Sequence, residues 1–236
     1  MDTALSKQVA VVTGASSGIG KAVAQALAHE GARLCVVGRN QGLLREAFRD
    51  SRVLQADLAV EEDILRLGKQ IEREFGYVDI LVHSAGLYSS NTFEKSSASD
   101  FDELFRVNVR APYLLTQALL PMLRIHKGQI VFINSSLGLR SKVNNNQYAA
   151  TKHALKAVAD GLRDEVNESG IRVLSIYVGS TNTPMQERIH KSEGRVYHPE
   201  LLLQPSDIAS VVINSLQLAK TAEVTDISIR PMKKGL

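Results

Sequence analysis

"VVTGASSGIGKA", residues 11–22, sets a β-branched apolar run against a helix-like run, with Gly14, Gly18 and Gly20 punctuating the join. A strand that turns through glycine into a helix presents unpaired backbone N–H groups and the positive end of a helix, and both attract phosphate. A triphosphate loop reads G-x-x-x-x-G-K-[ST], and its last hydroxyl binds magnesium. Gly20 and Lys21 supply the "GK", but Ala15 stands five before Gly20 and Ala22 follows Lys21. The metal-binding hydroxyl is missing, so that reading fails. The spacing Gly14-x-x-x-Gly18-x-Gly20 is instead a variant of the dinucleotide fingerprint. Gly14 permits the tight turn, Gly18 a close approach to pyrophosphate, and Gly20 close helix–strand packing. Ser16, Ser17 and Ile19, lying among these glycines, join the expected cofactor cradle.

The next strand decides the adenosine end. An NAD site places an Asp or Glu about 20 residues on, where it accepts from the ribose 2′-OH. Between Ala32 and Arg45 there is no acid, and the strand ends "VVGRN". Gly38 followed by Arg39 suits a 2′-phosphate, because a guanidinium pairs with phosphate through two parallel bonds. The expected cofactor is therefore NADP(H); a solvated surface arginine is the alternative.

Working outward, short apolar runs alternate with amphipathic ones. Strands are expected at 9–13, 33–37, 52–56, 78–82, 129–134, 172–178 and 225–230, and helices at roughly 18–30, 41–50, 60–75, 100–124, 148–169 and 205–219. Near-continuous apolar strands separated by helices imply a parallel sheet covered on both faces. The expected architecture is α/β, a single-domain Rossmann-like doubly wound sheet over 1–236, with ligands at the carboxyl ends of the strands. The longest irregular stretch, 179–204, is read as a substrate lid, with a mobile surface loop as the alternative.

With 44% hydrophobic and 22% charged residues and no low-complexity segment, the chain reads as a folded globular protein. A net charge of +3 with scattered basic residues argues against nucleic acid as a partner. Cys35 is the sole cysteine, which excludes an internal disulfide or a cysteine metal cluster and fits a reducing compartment. The N-terminal "MDTALSKQVAVVTG" lacks the pattern of a signal peptide, and no run approaches about 18 apolar residues. The expectation is a cytoplasmic protein that does not enter a membrane.

"QYAATKHAL" places Tyr148 and Lys152 four apart at a helix start, on one face. A free tyrosine titrates near ~10, and a nearby ammonium favours the phenolate. Lowering it by roughly three units corresponds to about 4 kcal/mol. One exposed ammonium does not supply that, so a positive nicotinamide and desolvation would have to contribute. Such a pair also arises on helix surfaces without function. Upstream, "INSSLG" puts Ser135 and Ser136 at the carboxyl end of the fifth strand, where a hydroxyl can donate to a substrate carbonyl.

In order and spacing, "TGASSGIG", "DL" at 57–58, "HSAG", "RVNVRAPY", "INSSLG", "YAATK" and "VGSTNTPM" resemble the short-chain dehydrogenase/reductase family across nearly the whole chain. The resemblance implies Tyr148 as proton donor and acceptor, and Lys152 as the residue that lowers its pKa and holds the nicotinamide ribose. It implies Ser135, rather than Ser136, as the substrate-orienting serine, and Asn108 as the asparagine that holds a water linking the lysine to solvent. Asp57 and Leu58 resemble the adenine contacts, and Ala85 and Gly86 open the cofactor-lining loop. Gly179, Thr181 and Thr183 fall in the segment that meets the nicotinamide, Thr183 at its carboxamide. Two departures stand out. His83 and Ser84 replace two asparagines, with His83 expected to be structural, and Val178–Gly179 replaces Pro-Gly.

The implied reaction is hydride transfer between NADP(H) and a small-molecule carbonyl or alcohol, with no metal. A small carbonyl or 3-hydroxy acid is favoured over a ketoacyl-carrier-protein substrate, because the chain stops soon after "ISIRP" without a glycine-rich ending. A non-catalytic NADP(H)-binding regulator is the rival from another class. Arg188, His190, Lys191, Arg195 and His198 make the lid basic, which reads as a solvated face with an anionic substrate as the alternative. The family resemblance also implies a homodimer or homotetramer built on the helices at 100–124 and 148–169.

Overall fold

Alternation within the strands explains why the sheet is buried twice over. In β1 (Val9–Thr13), Ala10 and Val12 enter one apolar cluster while Val11 enters another on the opposite face. The same split recurs in β5 (Gln129–Ser135), where Val131 and Ile133 face one way and Ile130 and Phe132 the other. A strand apolar on both faces needs a cover on each, and helices provide it.

A computed structural model describes residues 5–233. The first four residues of the N-terminal stretch and the last three of the tail lie outside the described residues. The remaining strands are β2 (Arg33–Gly38), β3 (Arg52–Gln55), β4 (Ile80–His83), β6 (Arg172–Val178) and β7 (Asp226–Ile229). All pair in parallel, in the order β3-β2-β1-β4-β5-β6-β7. The order reverses between β1 and β4, which opens a crevice at their carboxyl ends. Helices α1 (Gly18–His29) and α8 (Pro205–Leu216) pack on one face, and α3 (Glu61–Phe75), α5 (Ala111–His126) and α6 (Asn146–Val166) on the other. The short α2 (Gln41–Ala47) follows β2, capped by the Asn40 side chain accepting from Leu43 N–H at 3.1 Å. No helix among the described residues is long and apolar enough to cross a membrane.

Two expectations about elements need correction. The helix expected over 100–124 is α4 (Ala98–Phe105), a π-helical turn at Arg106–Arg110, and then α5. The stretch 179–204 is not irregular throughout, since α7 spans Pro184–Ser192. Thr183 caps it, accepting from Gln186 N–H at 3.2 Å, and Pro184 sits in the first turn, where its missing N–H costs nothing.

Candidate active site

A cleft of about 1410 Å³ opens at the carboxyl ends of the strands, where the switch in strand order leaves room. The glycine loop forms one wall through close backbone approach. A Cβ on Gly14 (φ 68) would lie 2.8 Å from the Ala85 backbone, and one on Gly20 would lie 2.4 Å from the Gly14 carbonyl oxygen. Neither position tolerates a side chain. A Cβ on Gly18 (φ 55) would lie 3.0 Å from the Thr183 side chain, so the glycine loop meets the start of α7. Ser17 makes no side-chain cap on α1 and the first turn carries no acid, which leaves that helix end open to an anion. Thr13, which sequence reasoning missed, ties the loop down. Its hydroxyl accepts from Ser84 and Ala85 N–H at 3.1 and 3.3 Å and donates to the Val82 carbonyl at 3.3 Å.

At the far end of the cleft lie Ser16, Ile19, Arg39, Asp57 and Leu58. The exposed Arg39 guanidinium makes no hydrogen bond or ion pair among the described residues; only its backbone carbonyl is used, by Gln55 Nε2 at 2.9 Å. Asp57 organises the turn into α3. Its carboxylate accepts from Ala59 N–H at 3.0 Å, and its own N–H donates to Asp63 at 2.8 Å, which holds the Asp63 carboxyl below its usual range.

The chemical groups gather where β5 ends. Ser135 Oγ accepts from Leu137 N–H at 3.1 Å and acts on the Tyr148 phenol, favouring its anion; Ser136 does not. Asn134, also missed from sequence, fixes this arrangement. Its Oδ1 accepts from Ser135 N–H at 2.8 Å, and its Nδ2 donates to the Lys152 carbonyl at 3.2 Å. The end of β5 and the start of α6 are thereby joined. Lys152 is 5% exposed, with Nζ 5.9 Å from the Tyr148 ring centre and donating to the Ile133 carbonyl at 3.2 Å.

The electrostatics correct one expectation. Burial pushes the Tyr148 phenol up to about 12 despite Ser135, and burial brings Lys152 down to about 8. Desolvation, expected to help lower the phenol, acts the other way and raises it.

Asn108 sits in the π-helical turn and, unlike the other residues expected at the site, does not line the cleft. It is fully bonded at long range. Oδ1 accepts from Leu87 N–H at 2.8 Å, and Nδ2 donates to the Leu87 carbonyl at 2.9 Å and to Thr151 Oγ1 at 3.1 Å. A Cβ on Gly86 would come within 3.3 Å of Asn108 Oδ1 and 4.0 Å of Lys152 Nζ, so Gly86 lies close to both groups. Gly179, Thr181 and Thr183 line the remaining wall, with Thr181 Oγ1 donating to the Gly179 carbonyl at 3.0 Å. Of the basic residues in 184–198, Arg188, Lys191, Arg195 and His198 are exposed as expected, while His190 is buried with Nδ1 3.0 Å from the Gln186 carbonyl.

His83 is buried behind the site, with Nε2 2.8 Å from Thr116 Oγ1 and the ring stacked on Phe132 at 5.0 Å. Burial alone brings its pKa down to about 3. The unfolded chain therefore binds a proton that the folded one refuses between roughly pH 6.5 and 3. Stability is complete above pH 6.5 and falls with acid, by about 1.4 kcal/mol per pH unit. His83→Asn is expected to flatten that part of the stability–pH curve; equal slopes in urea melts from pH 6.5 to 4.5 would contradict the account.

Residues 8–194 match the family model described as short chain dehydrogenase. A Staphylococcus epidermidis protein described as an oxidoreductase is 34% identical over 231 residues, which cover 96% of this chain and 98% of that one. An alcohol dehydrogenase from the archaeon Thermococcus sibiricus, solved with 5-hydroxy-NADP, superposes with a TM-score of 0.85 at 27% identity, covering 96% and 97% of the two chains. A 3-ketoacyl-(acyl-carrier-protein) reductase from Brucella melitensis, solved with NADH, gives 0.85 at 26%, covering 96% and 98%. Glycine cradle, strand order and family match agree, and this chain belongs to the short-chain dehydrogenase family.

Proposed function

We propose that the protein is an NADP(H)-dependent oxidoreductase acting on the carbonyl/alcohol pair of a small carbonyl compound or 3-hydroxy acid. The observation that carries this reading is the convergence of Ser135, Tyr148 and the buried Lys152 on one cleft walled by glycine. The residues fit the cofactor: Gly14 and Gly20 leave room only for backbone, the first turn of α1 has no side-chain cap, and Arg39, unpaired among the described residues, lines the same cleft as Ser16. When bound, NADP(H) supplies the hydride.

The chain's own residues handle the proton and the oxygen. Ser135 and Tyr148 donate to the carbonyl oxygen, and Tyr148 gives up its proton as negative charge develops there. A phenol held near 12 is a poor acid at neutral pH. Lys152, with its pKa near 8, keeps its charge at neutral pH and would help bring the phenol down in the complex, beside the ribose. Asn108 holds the Leu87 loop beside the lysine.

Arg39 sets the cofactor preference. Arg39→Asp replaces a phosphate partner with a like charge and is expected to weaken NADPH binding by about 100-fold while leaving NADH nearly unchanged. Equal losses for the two cofactors would contradict the assignment, and so would an NAD preference in the parent protein.

The likeness to the Brucella melitensis reductase favours a second reading, reduction of ketoacyl thioesters. NADPH consumption over aldehydes, ketones, keto acids and ketoacyl thioesters, with hydroxy acids in reverse, separates the two. Best turnover on thioesters would overturn the small-carbonyl reading. No turnover with NADPH bound would favour a cofactor-binding regulator. For assembly, the exposed Phe101, Phe105 and Tyr113 on α4 and α5 suit a dimer or tetramer, which light scattering reads directly.

A further inference from the structure

Tyr88 follows the loop that Asn108 pins at Leu87, and neither the cofactor nor the proton chemistry above uses it. Its ring meets the Tyr148 ring edge-on, with centres 4.9 Å apart. Its hydroxyl donates to Asn145 Oδ1 at 2.5 Å. Asn145 is the residue immediately before α6, yet its side chain makes no cap on that helix. An asparagine cap at this position is worth about 1 kcal/mol, and here the oxygen faces Tyr88 instead. Asn145 Nδ2 donates to the Val143 carbonyl at 2.9 Å, and Asn91 N–H donates to the carbonyl of Asn144, itself left-handed at φ 65. The segment 87–91 is thus fastened to the turn that launches the catalytic helix.

We infer that Tyr88 is a positioning residue for Tyr148, gripping it from two sides: ring against ring, and hydroxyl against the residue that starts its helix. This rests on the reductase reading for its kinetic consequence, but the contact itself is independent of the reaction. A rotation of the Tyr148 side chain breaks its alignment with Ser135, and small misplacements of that kind are costly in rate. The Tyr88 ring blocks that rotation. Burial also pushes the Tyr88 phenol up, so it stays neutral beside Tyr148.

The test uses the NADPH-saturated enzyme with Tyr88→Phe, Asn145→Ala and the double variant. Each single change is expected to lower kcat about tenfold with KM and the NADPH Kd moved by less than about twofold. The double variant should fall no further than Asn145→Ala alone, because the Tyr88–Asn145 bond is the one that both changes remove. Asn145→Asp keeps an acceptor for the phenol and should restore most of the rate. A second readout needs no substrate: in protein labelled at the tyrosine ζ carbon, the Tyr148 signal, assigned through Tyr148→Phe, should shift in Tyr88→Phe and titrate at lower pH. Additive losses in the double variant, failed rescue by Asn145→Asp or an unmoved Tyr148 signal would each overturn the inference. Absence of turnover in the parent protein would overturn the reductase reading, and the Tyr148 signal would still decide the role of Tyr88.

Discussion

Tyr148→Phe is expected to lower kcat by about 10³-fold while NADPH binding changes by less than about twofold. The phenylalanine keeps the ring that packs against Tyr88 and loses only the hydroxyl that Ser135 acts on. General acid–base catalysis contributes roughly 10²–10⁴-fold, and no other group at the end of β5 can replace this donor, because Ser135 titrates far too high. Single-turnover rates with a responsive ketone, alongside NADPH fluorescence titration, measure both quantities. Retained turnover would remove Tyr148 from the chemistry; joint loss of binding and turnover would make it structural.

Lys152→Met should cost activity and add stability. Lys152 is buried with one hydrogen bond to a carbonyl and no carboxylate beside it, and its pKa falls to about 8. The folded state therefore holds the lysine proton less tightly than the unfolded chain, where it titrates near ~10.4. Below pH 8 the full penalty is present; it is relieved as pH rises from 8 towards about 10.4. At pH 7 a methionine of similar length removes the buried charge, and a gain of about 1–3 kcal/mol is expected. kcat should fall about 10²-fold, since nothing then favours phenolate at Tyr148. Urea melts at pH 7 and pH 10 check the sign: the gain should shrink at the higher pH. A variant less stable at pH 7 would mean that the lysine is better paired than its surroundings indicate.

The strands were legible because a buried parallel strand is apolar along its length, and β1 and β6 fall at their expected residues. The π-helical turn was not, because Arg106, Val107, Asn108 and Val109 are individually compatible with an α-helix; what bends it is the bonding of Asn108 to Leu87 and Thr151. Helix α7 carried a readable start in Thr183–Pro184, obscured by the polar sequence that follows. At the site, the spacing of Tyr148 and Lys152 and the loop glycines could be read directly. Thr13 and Asn134 could not, because Thr13 is bonded to residues 69 to 72 positions away and Asn134 reaches 18 positions to Lys152. The titration behaviour was also out of reach of the sequence. It depends on how deeply Tyr148 and Lys152 are enclosed, and that outweighs their mutual attraction.

The most direct measurement follows the hydride. The protein is incubated with a ketone that it consumes and with NADPH deuterated at the transferring position of the nicotinamide, and the product is read by mass spectrometry. The account predicts an alcohol with deuterium on the former carbonyl carbon, formed by the parent protein and nearly absent with Tyr148→Phe. Product without deuterium, or equal deuterium transfer by the variant, would contradict it.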